Sequence, residues 1–222
     1  MKQSDQAPLG VDVGPAPQTG RHVRLRAVVP PDYQFLYELA MSEELGWRWR
    51  SRGTSMSPEG FAQAMWQDSL AQFMIVHPES GEPFGLVTAY GANFKHGWTY
   101  YAQVMRPDLM GTAIGMEAAA LFVNYLFTNW NLRKIYIEAV EFNFDQFRSG
   151  LGKYFDQEGC RRAHEFYQGR YWDSYTLAIH RERWEAEWKR LLRIVLPREP
   201  GFEWVAPAGW PGSGNGNGAR HP

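Results

Sequence analysis

A long apolar segment in the middle of the chain, Gly115–Trp130, places the strongest limit on the fold. It has the length of a helix and carries apolar residues on every side, so none of its faces suits water. The segments before and after it, Trp98–Arg106 and Lys134–Val140, are rich in tyrosine, valine and isoleucine and indicate strands. Neighbouring elements must therefore cover this helix, which predicts a layered α/β fold.

The rest of the chain supplies further strands and helices on both sides of this unit. Ser57, followed by Pro58 and Glu59, is typical of a helix start because it offers a cap, a fixed φ and an acid in the first turn. The remaining predicted elements are, in order, strand Val23–Val28, helix Tyr33–Met41, a helix from Ser57 to about Ser69, strands Phe73–Val76 and Phe84–Tyr90, a short helix Asn143–Lys153, strands Phe155–Ala163 and Tyr171–Ile179, and helix Arg181–Leu196. This order predicts a mixed α/β layout around one sheet.

Segments of low apolar content flank the predicted elements. Met1–Gly20 and Pro200–Pro222 are rich in glycine, proline and polar residues, which predicts flexible tails. Between them we predict one domain over residues 21–183 and a helical extension over residues 184–199. The extension has an apolar stripe that needs a partner surface, either on the same domain or on a second copy: Trp184, Trp188, Leu191, Leu192 and Val195.

Composition argues against several classes of protein. The formal net charge is −1, so no strong attraction to nucleic acid or an anionic membrane is expected. No apolar run approaches the roughly 20 residues of a membrane span, and Met1–Gly20 lacks the apolar core of a signal peptide, so we expect a cytoplasmic protein. Cys160 is the single cysteine, which excludes an internal disulfide and a cysteine metal cluster, and we expect no metal.

The turn from Met110 to Met116 is the segment best suited to bind a ligand. It lies between a predicted strand and the apolar helix, and its small residues Gly111, Ala113 and Gly115 let the backbone approach a ligand closely. The first turn of a helix leaves N–H groups without partners, and with the helix dipole these form an anion site that needs no lysine. A diphosphate is the natural occupant, although the spacing matches neither the Walker A loop nor Gly-x-Gly-x-x-Gly.

The order of several short motifs resembles that of the GNAT acetyltransferases, in particular the branch that includes the ribosomal-protein alanine acetyltransferases. The matching segments lie between about Arg21 and Trp184 and are Gly111–Ala118, Asn143, Phe155–Gly159, Gly169–Asp173 and Glu182–Trp184. The resemblance implies a single mixed, mostly antiparallel, twisted sheet flanked by helices, here with an added C-terminal helix. It also implies an N-acyltransferase that moves an acetyl or other short acyl group from acyl-CoA to a primary amine of a small molecule or protein.

The resemblance further implies how acyl-CoA is held. The pantetheine arm would lie where the strands Trp98–Arg106 and Lys134–Val140 splay apart, and backbone near Val104 or Met105 would bond the acyl carbonyl. The pyrophosphate would lie on the turn, whose residues are Met110, Gly111, Thr112, Ala113, Ile114, Gly115 and Met116. Asn143 matches the asparagine that bonds the pantetheine arm in the family, while an isolated asparagine before a helix can equally be a cap.

The chain departs from the family pattern at several positions. Met110 stands where the family usually has arginine or glutamine, and Ala113 replaces a central glycine. Gly150 occupies the position where many relatives have the tyrosine that protonates the departing thiolate, which leaves Ser149 and Tyr154 as alternative acids. The missing tyrosine also motivates an alternative function, a non-catalytic CoA-binding or regulatory module.

Acyl transfer to an amine needs a base, and the amine needs a binding wall. Glu138 is the candidate base, with Glu141 and His96 as alternatives, although a strand glutamate can also be a solvated charge or half of an ion pair. The loop Trp47–Arg50 lies where the family builds the acceptor wall, and it either stacks on a planar acceptor or packs on the sheet. The aromatic content favours a small-molecule acceptor over a peptide, and a homodimer is a further possibility.

Overall fold

The computed structural model describes residues 18–48 and 52–196. Within these residues, seven strands form one sheet: β1 Arg24–Ala27, β2 Ser69–Val76, β3 Pro83–Asn93, β4 Trp98–Met105, β5 Lys134–Val140, β6 Asp156–Tyr167 and β7 Arg170–His180. The α-helices of the same residues are α1 Asp32–Met41, α2 Pro58–Trp66, α3 Ala113–Asn129, α4 Glu141–Phe144 and α5 Arg181–Val195. Two 3-10 turns, Pro107–Leu109 and Asp145–Gly150, precede α3 and follow α4.

The strands lie side by side in the order β1-β2-β3-β4-β5-β7-β6. β4 and β5 are parallel, and every other neighbouring pair in the described sheet is antiparallel. Two consecutive parallel strands need a long connection, because the chain must return to the end of the sheet at which the first strand began. α3 provides this connection between β4 and β5. The predicted single mixed, mostly antiparallel sheet is confirmed.

Two hydrophobic cores lie on opposite faces of the sheet. On one face, α3 and α5 pack over a large cluster that includes Leu121, Phe122 and Trp184. On the other face, α1 and α2 cover a smaller cluster around Leu36 and Phe61. α3 buries residues on every side, including Ala118, Leu121 and Phe127, as its uniformly apolar sequence predicts. At the ends of α5, Trp184 and Val195 belong to the larger core, while the side chains of Trp188, Leu191 and Leu192 lie outside the described part of the chain.

The start of α2 confirms the predicted cap, and its end corrects a predicted boundary. Ser57 Oγ accepts the N–H of Gly60 at 3.1 Å, and Pro58 opens the helix. The helix ends at Trp66 and does not reach Ser69, because Asp68 has a φ of +56° and turns the chain. β2 therefore begins at Ser69, four residues before the predicted strand start at Phe73.

The segment after β5 also differs from its predicted form. The predicted helix Asn143–Lys153 is instead the short α4 followed by a 3-10 turn that ends at Gly150. β6 continues past the predicted end at Ala163 to Tyr167, with a bulge where Ala163 has a φ of +46°. The predicted end lies too early because the segment around it is rich in charged residues, which an edge strand can carry since it faces water along much of its length.

The described ends of the chain lie close to each other. The N–H of Arg21 donates to the carbonyl of Val195 at 2.9 Å, and the carbonyl of Gln18 accepts the N–H of Leu25 in β1 at 2.8 Å. Residues 1–17 of the predicted N-terminal tail, the whole predicted C-terminal tail Pro200–Pro222 and the last three residues of the predicted extension, 197–199, lie outside the described residues. Of the helices in the described ranges, none combines the length and the apolar character needed to cross a membrane.

Candidate functional site

The parallel strands β4 and β5 separate along their length. They are paired from Trp98 opposite Lys134 to Tyr101 opposite Ile137, and no pairing follows. Both strands continue, β4 to Met105 and β5 to Val140, so a gap opens in the sheet between Ala102–Met105 and Glu138–Val140. The gap lies where the resemblance predicts the splay for a pantetheine arm.

The backbone of β4 offers polar groups to this gap. In an antiparallel pair, the backbone groups face the partner strand at every second residue. The N–H of Arg106 donates to the carbonyl of Phe84 in β3 at 2.9 Å, so the backbone of Val104 also faces β3. The N–H and C=O groups of Gln103 and Met105 therefore face the gap. Of the two predicted donors to an acyl carbonyl, Met105 has the suitable orientation and Val104 does not.

The predicted anion site lies at the N-terminus of α3. Thr112 is the N-cap residue, but its side chain makes no capping bond and donates instead to the carbonyl of Leu109 at 2.7 Å. The N–H groups of Ala113, Ile114 and Gly115 in the first helical turn therefore lack the partner that a cap supplies. Met116, the fourth helical residue, has its N–H within the helical bonding pattern, so its predicted role as a donor does not fit this geometry.

The first turn of α3 carries no acidic residue, and Glu117, in the second turn, is directed away from the N-terminus of the helix. Glu117 is 4% exposed and accepts the N–H groups of His22 at 2.8 Å and Val23 at 3.2 Å. His22 Nδ1 lies 2.9 Å from the same carboxylate. The N-terminus of α3 thus keeps the positive potential of its dipole, and Glu117 fixes the helix to the start of the sheet. The role of Glu117 could not be predicted from the sequence, because no local motif marks its partners.

The two glycines of the turn have different roles. Gly111 has a φ of +75°, which a residue with a side chain rarely adopts, and open space lies where its side chain would be. Gly115 has an ordinary backbone but faces β4, because a Cβ there would lie 3.1 Å from Gln103 Nε2 and 3.1 Å from Met105 Sδ. Gly115 therefore permits close packing of α3 on β4. From the sequence alone, we predict instead that this glycine lets a ligand approach the backbone.

A polar network joins β4 to the start of α3. The hydroxyl of Tyr101 donates to Gln103 Oε1, and Gln103 Nε2 donates to the carbonyl of Gly115 at 3.2 Å. Tyr101 is 7% exposed, and burial raises the pKa of its hydroxyl, which therefore stays protonated as a donor. Gln103 holds the first turn of α3 at a fixed distance from the gap. This role of Gln103 could not be predicted from the sequence, since a glutamine within a strand usually faces water.

The network predicts a measurable effect of replacing Gln103. Gln103→Met preserves length but leaves the buried Tyr101 hydroxyl without an acceptor, and we expect a loss of about 1–3 kcal/mol in the free energy of unfolding. Adding Tyr101→Phe removes the unpaired group, so the double variant should recover part of the loss. Urea unfolding of the two single variants and the double variant measures the coupling. Strictly additive losses would contradict the network.

Asn143 lies directly after β5, at the end of the gap. It is the third residue of α4, whose N-cap residue is Val140, and it precedes the 3-10 turn capped by Phe144. Asn143 is therefore not a cap of either element, which removes that alternative. Its position remains suitable for a contact with a pantetheine arm in the gap.

The structure explains why glycine stands at position 150. A Cβ on Gly150 would lie 2.5 Å from Cζ of Phe155, whose buried ring occupies the space that a side chain needs. The family tyrosine therefore cannot be accommodated here without moving Phe155. Of the two alternative acids, Ser149 is exposed, whereas Tyr154 is partly buried against the large core.

Glu138 lies at the level where β4 and β5 separate, on the sheet face that carries α1 and α2. Its side chain pairs with Arg161 of β6, whose Nη2 also donates to Ser174 Oγ at 3.3 Å. Burial, followed by the negative charge of Glu138, raises the pKa of the neighbouring Tyr100. Glu138 is the only carboxylate that β4 and β5 place on this face.

The other two predicted bases differ in their position relative to the gap. His96 is exposed in the turn between β3 and β4, at the end of β4 opposite the gap. With about 3.3 Å per strand residue, its backbone lies more than roughly 20 Å from Met105. Glu141 begins α4 and accepts the N–H of Asp173 at 3.4 Å. His96 is thus not placed to act at the gap.

An aromatic cluster closes the end of the site beyond β5. Trp47, after α1, stacks on Tyr167 of β6 with ring centroids 3.6 Å apart and packs edge-on against Phe142 of α4. Trp172 of β7 completes the cluster against Phe142, with centroids 5.0 Å apart. Trp47 therefore packs on the chain's own hairpin. Of the rest of the predicted wall, Arg48 lies over the Trp47 ring, with its Cζ 5.2 Å from the ring centroid, and Trp49 and Arg50 lie outside the described residues.

Comparison with known proteins finds likeness in structure alone. No protein-family model and no curated protein matches the chain. A spermidine N-acetyltransferase from Vibrio cholerae, in complex with CoA and spermine, superposes with a TM-score of 0.64 at 20% identity, over 73% of this chain and 98% of that one. A GNAT-family acetyltransferase from Bacillus anthracis gives 0.61 at 17% identity, over 74% and 98%. A probable GNAT-family acetyltransferase from Chromobacterium violaceum gives 0.60 at 18% identity, over 83% and 98%.

These structures share the chain's overall architecture over nearly their whole length. Identity at or below 20% limits the likeness to the fold. The predicted fold class is confirmed, and the chain has the GNAT acetyltransferase fold.

Proposed function

We propose that this protein is an acyl-CoA-dependent N-acyltransferase, which moves an acetyl or other short acyl group to a primary amine. The observation that carries the proposal is the gap between β4 and β5, which opens beside an uncapped helix N-terminus. A gap with backbone donors suits an amide-containing arm, and the helix N-terminus suits a diphosphate. CoA carries both groups in one molecule.

The structural likenesses support this proposal without fixing the acceptor. The Vibrio cholerae protein is described with CoA and spermine, and another structure of that enzyme is described as dodecameric. The narrower placement in the ribosomal-protein alanine branch, a cytoplasmic location and a homodimer remain predictions. A protein acceptor and a small-molecule acceptor both remain compatible with the fold.

The chain's own groups can hold CoA in a defined way. The N–H groups of Ala113, Ile114 and Gly115 would bind the pyrophosphate, with Gly111 shaping the turn. The N–H of Met105 would donate to the acyl carbonyl and stabilise the negative charge that develops on its oxygen. Asn143 would bond the pantetheine arm. When bound, CoA supplies the acyl group as a thioester, and the protein supplies alignment.

Two proton transfers complete the proposed reaction. Glu138 would take a proton from the amine as its nitrogen bonds to the acyl carbon. Tyr154 or Ser149 would donate a proton to the CoA sulfur as the C–S bond breaks, and of these Tyr154 is the one packed into the fold. Because a thiolate is a good leaving group, water can also serve as this acid.

The alternative function is a CoA-binding module without turnover, and the occupied space at Gly150 is the observation that favours it. Titration calorimetry with CoA, together with a free-thiol assay on acetyl-CoA and a panel of amines, separates the two functions. Binding with amine-dependent thiol release supports the transferase. Binding without release across the panel supports the module, and absence of binding contradicts both.

Replacing Glu138 tests the proposed base. Glu138→Gln should lower kcat/KM for the amine by about 100-fold or more, since general bases typically contribute that much, while CoA affinity is retained. Glu158→Gln is the matched control, because Glu158 also pairs with a cation, Lys134, but at the end of β5 away from the gap. Equal rates for the Glu138 variant and wild type would exclude Glu138 as the base.

A further inference from the structure

Three aromatic rings lie together on the sheet face that carries α1 and α2. Tyr100 of β4 is the register partner of Tyr136 of β5, and Trp98 of β4 packs edge-on against both. The centroids of the three rings are 5.5, 5.8 and 5.9 Å apart. We call Trp98, Tyr100 and Tyr136 the aromatic platform.

The aromatic platform lies outside the cores that stabilise the fold. Of the two described cores, neither includes any of its three residues, and all three side chains are partly exposed. The core under α1 and α2 includes Val104, in the half of β4 farther from Trp98. Large rings that are grouped at the surface rather than in a core are typical of a binding site.

The aromatic platform leads directly to the gap. Side chains alternate between the faces of a sheet, so Ala102 and Glu138 are the next residues on the same face after Tyr100 and Tyr136. Both are partly exposed, and Ala102 carries only a methyl group. The pairing of β4 with β5 ends one residue before them, so they lie where the gap begins. A molecule on the platform can therefore extend to Glu138 along one face.

The spacing suits an amine with a short arm between its nitrogen and a ring. Glu138 lies two residues beyond Tyr136 along β5, a displacement of about 7 Å. A hydrogen bond from the amine to the Glu138 carboxylate accounts for about 3 Å of it. An ethyl arm spans the remainder and leaves its ring at the level of Tyr100 and Tyr136.

The charges beside Tyr136 favour a neutral ring over a second ammonium group. Glu138 pairs with Arg161, and Glu158 pairs with Lys134, so each of these two carboxylates already has a cation. Lys134 Nζ also lies 5.7 Å from the centroid of the Tyr136 ring. A further cation placed here would be repelled by these two. A neutral aromatic ring instead packs on other rings by offset or edge-on contacts.

We propose that the aromatic platform binds an aromatic ring of the acceptor, so that the substrate is an arylalkylamine with a short alkyl arm. This inference rests on the proposed function. The ring packs on Tyr100 and Tyr136, the arm lies over Ala102, and the amine meets Glu138 beside the gap.

Four primary amines test the platform in the free-thiol assay with acetyl-CoA. Wild-type kcat/KM should be about tenfold or more higher for 2-phenylethylamine than for ethylamine, which lacks the ring, because burial of an aromatic ring contributes that much. 2-Cyclohexylethylamine keeps a ring of similar size without its π system. Its kcat/KM should be about 2- to 10-fold below that of 2-phenylethylamine. 1,4-Diaminobutane, which carries a second ammonium group, should also have a lower kcat/KM than 2-phenylethylamine.

Substitution of Tyr100 tests the residue itself. Tyr100→Leu should lower the ratio of kcat/KM for 2-phenylethylamine to that for ethylamine by about 2- to 10-fold, whereas Tyr100→Phe keeps a ring and should keep the ratio.

Tyr125→Leu is the matched control for this substitution. Tyr125 is also partly exposed and packs on several rings, but it lies on α3, on the opposite face of the sheet. The rings in contact with it are Phe73, Phe122 and Trp130. Tyr125→Leu should lower the melting temperature and leave the ratio as in wild type.

The outcomes distinguish this inference from the proposed function. Equal kcat/KM for 2-phenylethylamine and ethylamine, or for 2-phenylethylamine and 2-cyclohexylethylamine, overturns the aromatic subsite and leaves the transferase standing. A higher kcat/KM for 1,4-diaminobutane does the same and identifies a cation site. Should thermal unfolding show that Tyr100→Leu is not folded, Tyr136→Leu replaces it, and an unchanged ratio in the folded variant overturns the subsite. No thiol release with any amine overturns the transferase and the subsite together.

Discussion

Replacing Gly115 with valine is expected to weaken CoA binding by about 10- to 100-fold, since overpacking of a tight contact typically costs 1–3 kcal/mol. A Cβ at this position already lies 3.1 Å from Gln103 Nε2 and Met105 Sδ, and valine adds two methyl groups beyond it. The first turn of α3 must then move away from β4. The N–H groups of this turn, which form the anion site, would then no longer be aligned with the gap.

Gly60 provides a matched control for this substitution. It is the third residue of α2, as Gly115 is the third residue of α3, so Gly60→Val carries the same change in helix propensity. A Cβ on Gly60 meets only Ser57 Oγ, at 3.4 Å, and no strand. Titration calorimetry with CoA should find wild-type affinity for Gly60→Val. Equal affinities for Gly115→Val and wild type would contradict the placement of the pyrophosphate at α3.

Replacing Glu117 with alanine is expected to give the largest loss of stability among these variants. The carboxylate accepts two backbone N–H groups and contacts His22 Nδ1 while 4% exposed, so its removal leaves buried donors unpaired and a cavity behind. We expect a loss of about 3 kcal/mol or more in the free energy of unfolding. For a chain of this size, that corresponds to a fall of roughly 6–12 °C in Tm.

The matched variant for this prediction is Glu117→Gln. Its amide oxygen can still accept the N–H groups of His22 and Val23, so we expect a loss of about 1 kcal/mol, much smaller than that of alanine. Thermal and urea unfolding of both variants measure the difference. Similar losses for the two variants would show that the negative charge of the carboxylate dominates, because glutamine keeps both the side-chain volume and an oxygen that accepts the N–H groups of His22 and Val23. Alanine at wild-type stability would contradict the role of Glu117 altogether.

Most elements could be predicted because their signals are local. The uniformly apolar sequence of α3 and the cap at Ser57 depend on residues within one or two turns of each other, and both appear where predicted. The predictions that failed concern boundaries set by distant partners. β2 begins at Ser69 because it pairs with Tyr90, and β6 continues past Ala163 because β7 lies beside it.

The same distinction between local signals and distant partners holds for the residues of the candidate site. The glycine-bearing turn before a helix, and hence a possible anion site, is legible in the residues from Met110 to Gly115. The orientation of the backbone N–H donors of β4 cannot be predicted from the sequence, since it depends on which strand bonds to β4. That pairing turns Val104 away from the gap and Met105 toward it. The reason for glycine at position 150 is equally invisible, because the ring that fills the space belongs to Phe155.

The sequence by itself determined the order of the elements, the buried character of α3 and the presence of a glycine-bearing turn before it. These features follow from the periodicity and chemistry of neighbouring residues, which act over a few ångströms along the chain. Only the tertiary structure decided the gap between β4 and β5 and the packing role of Gly115. The first depends on the lateral register between strands and the second on how α3 packs against β4, and no local pattern specifies either.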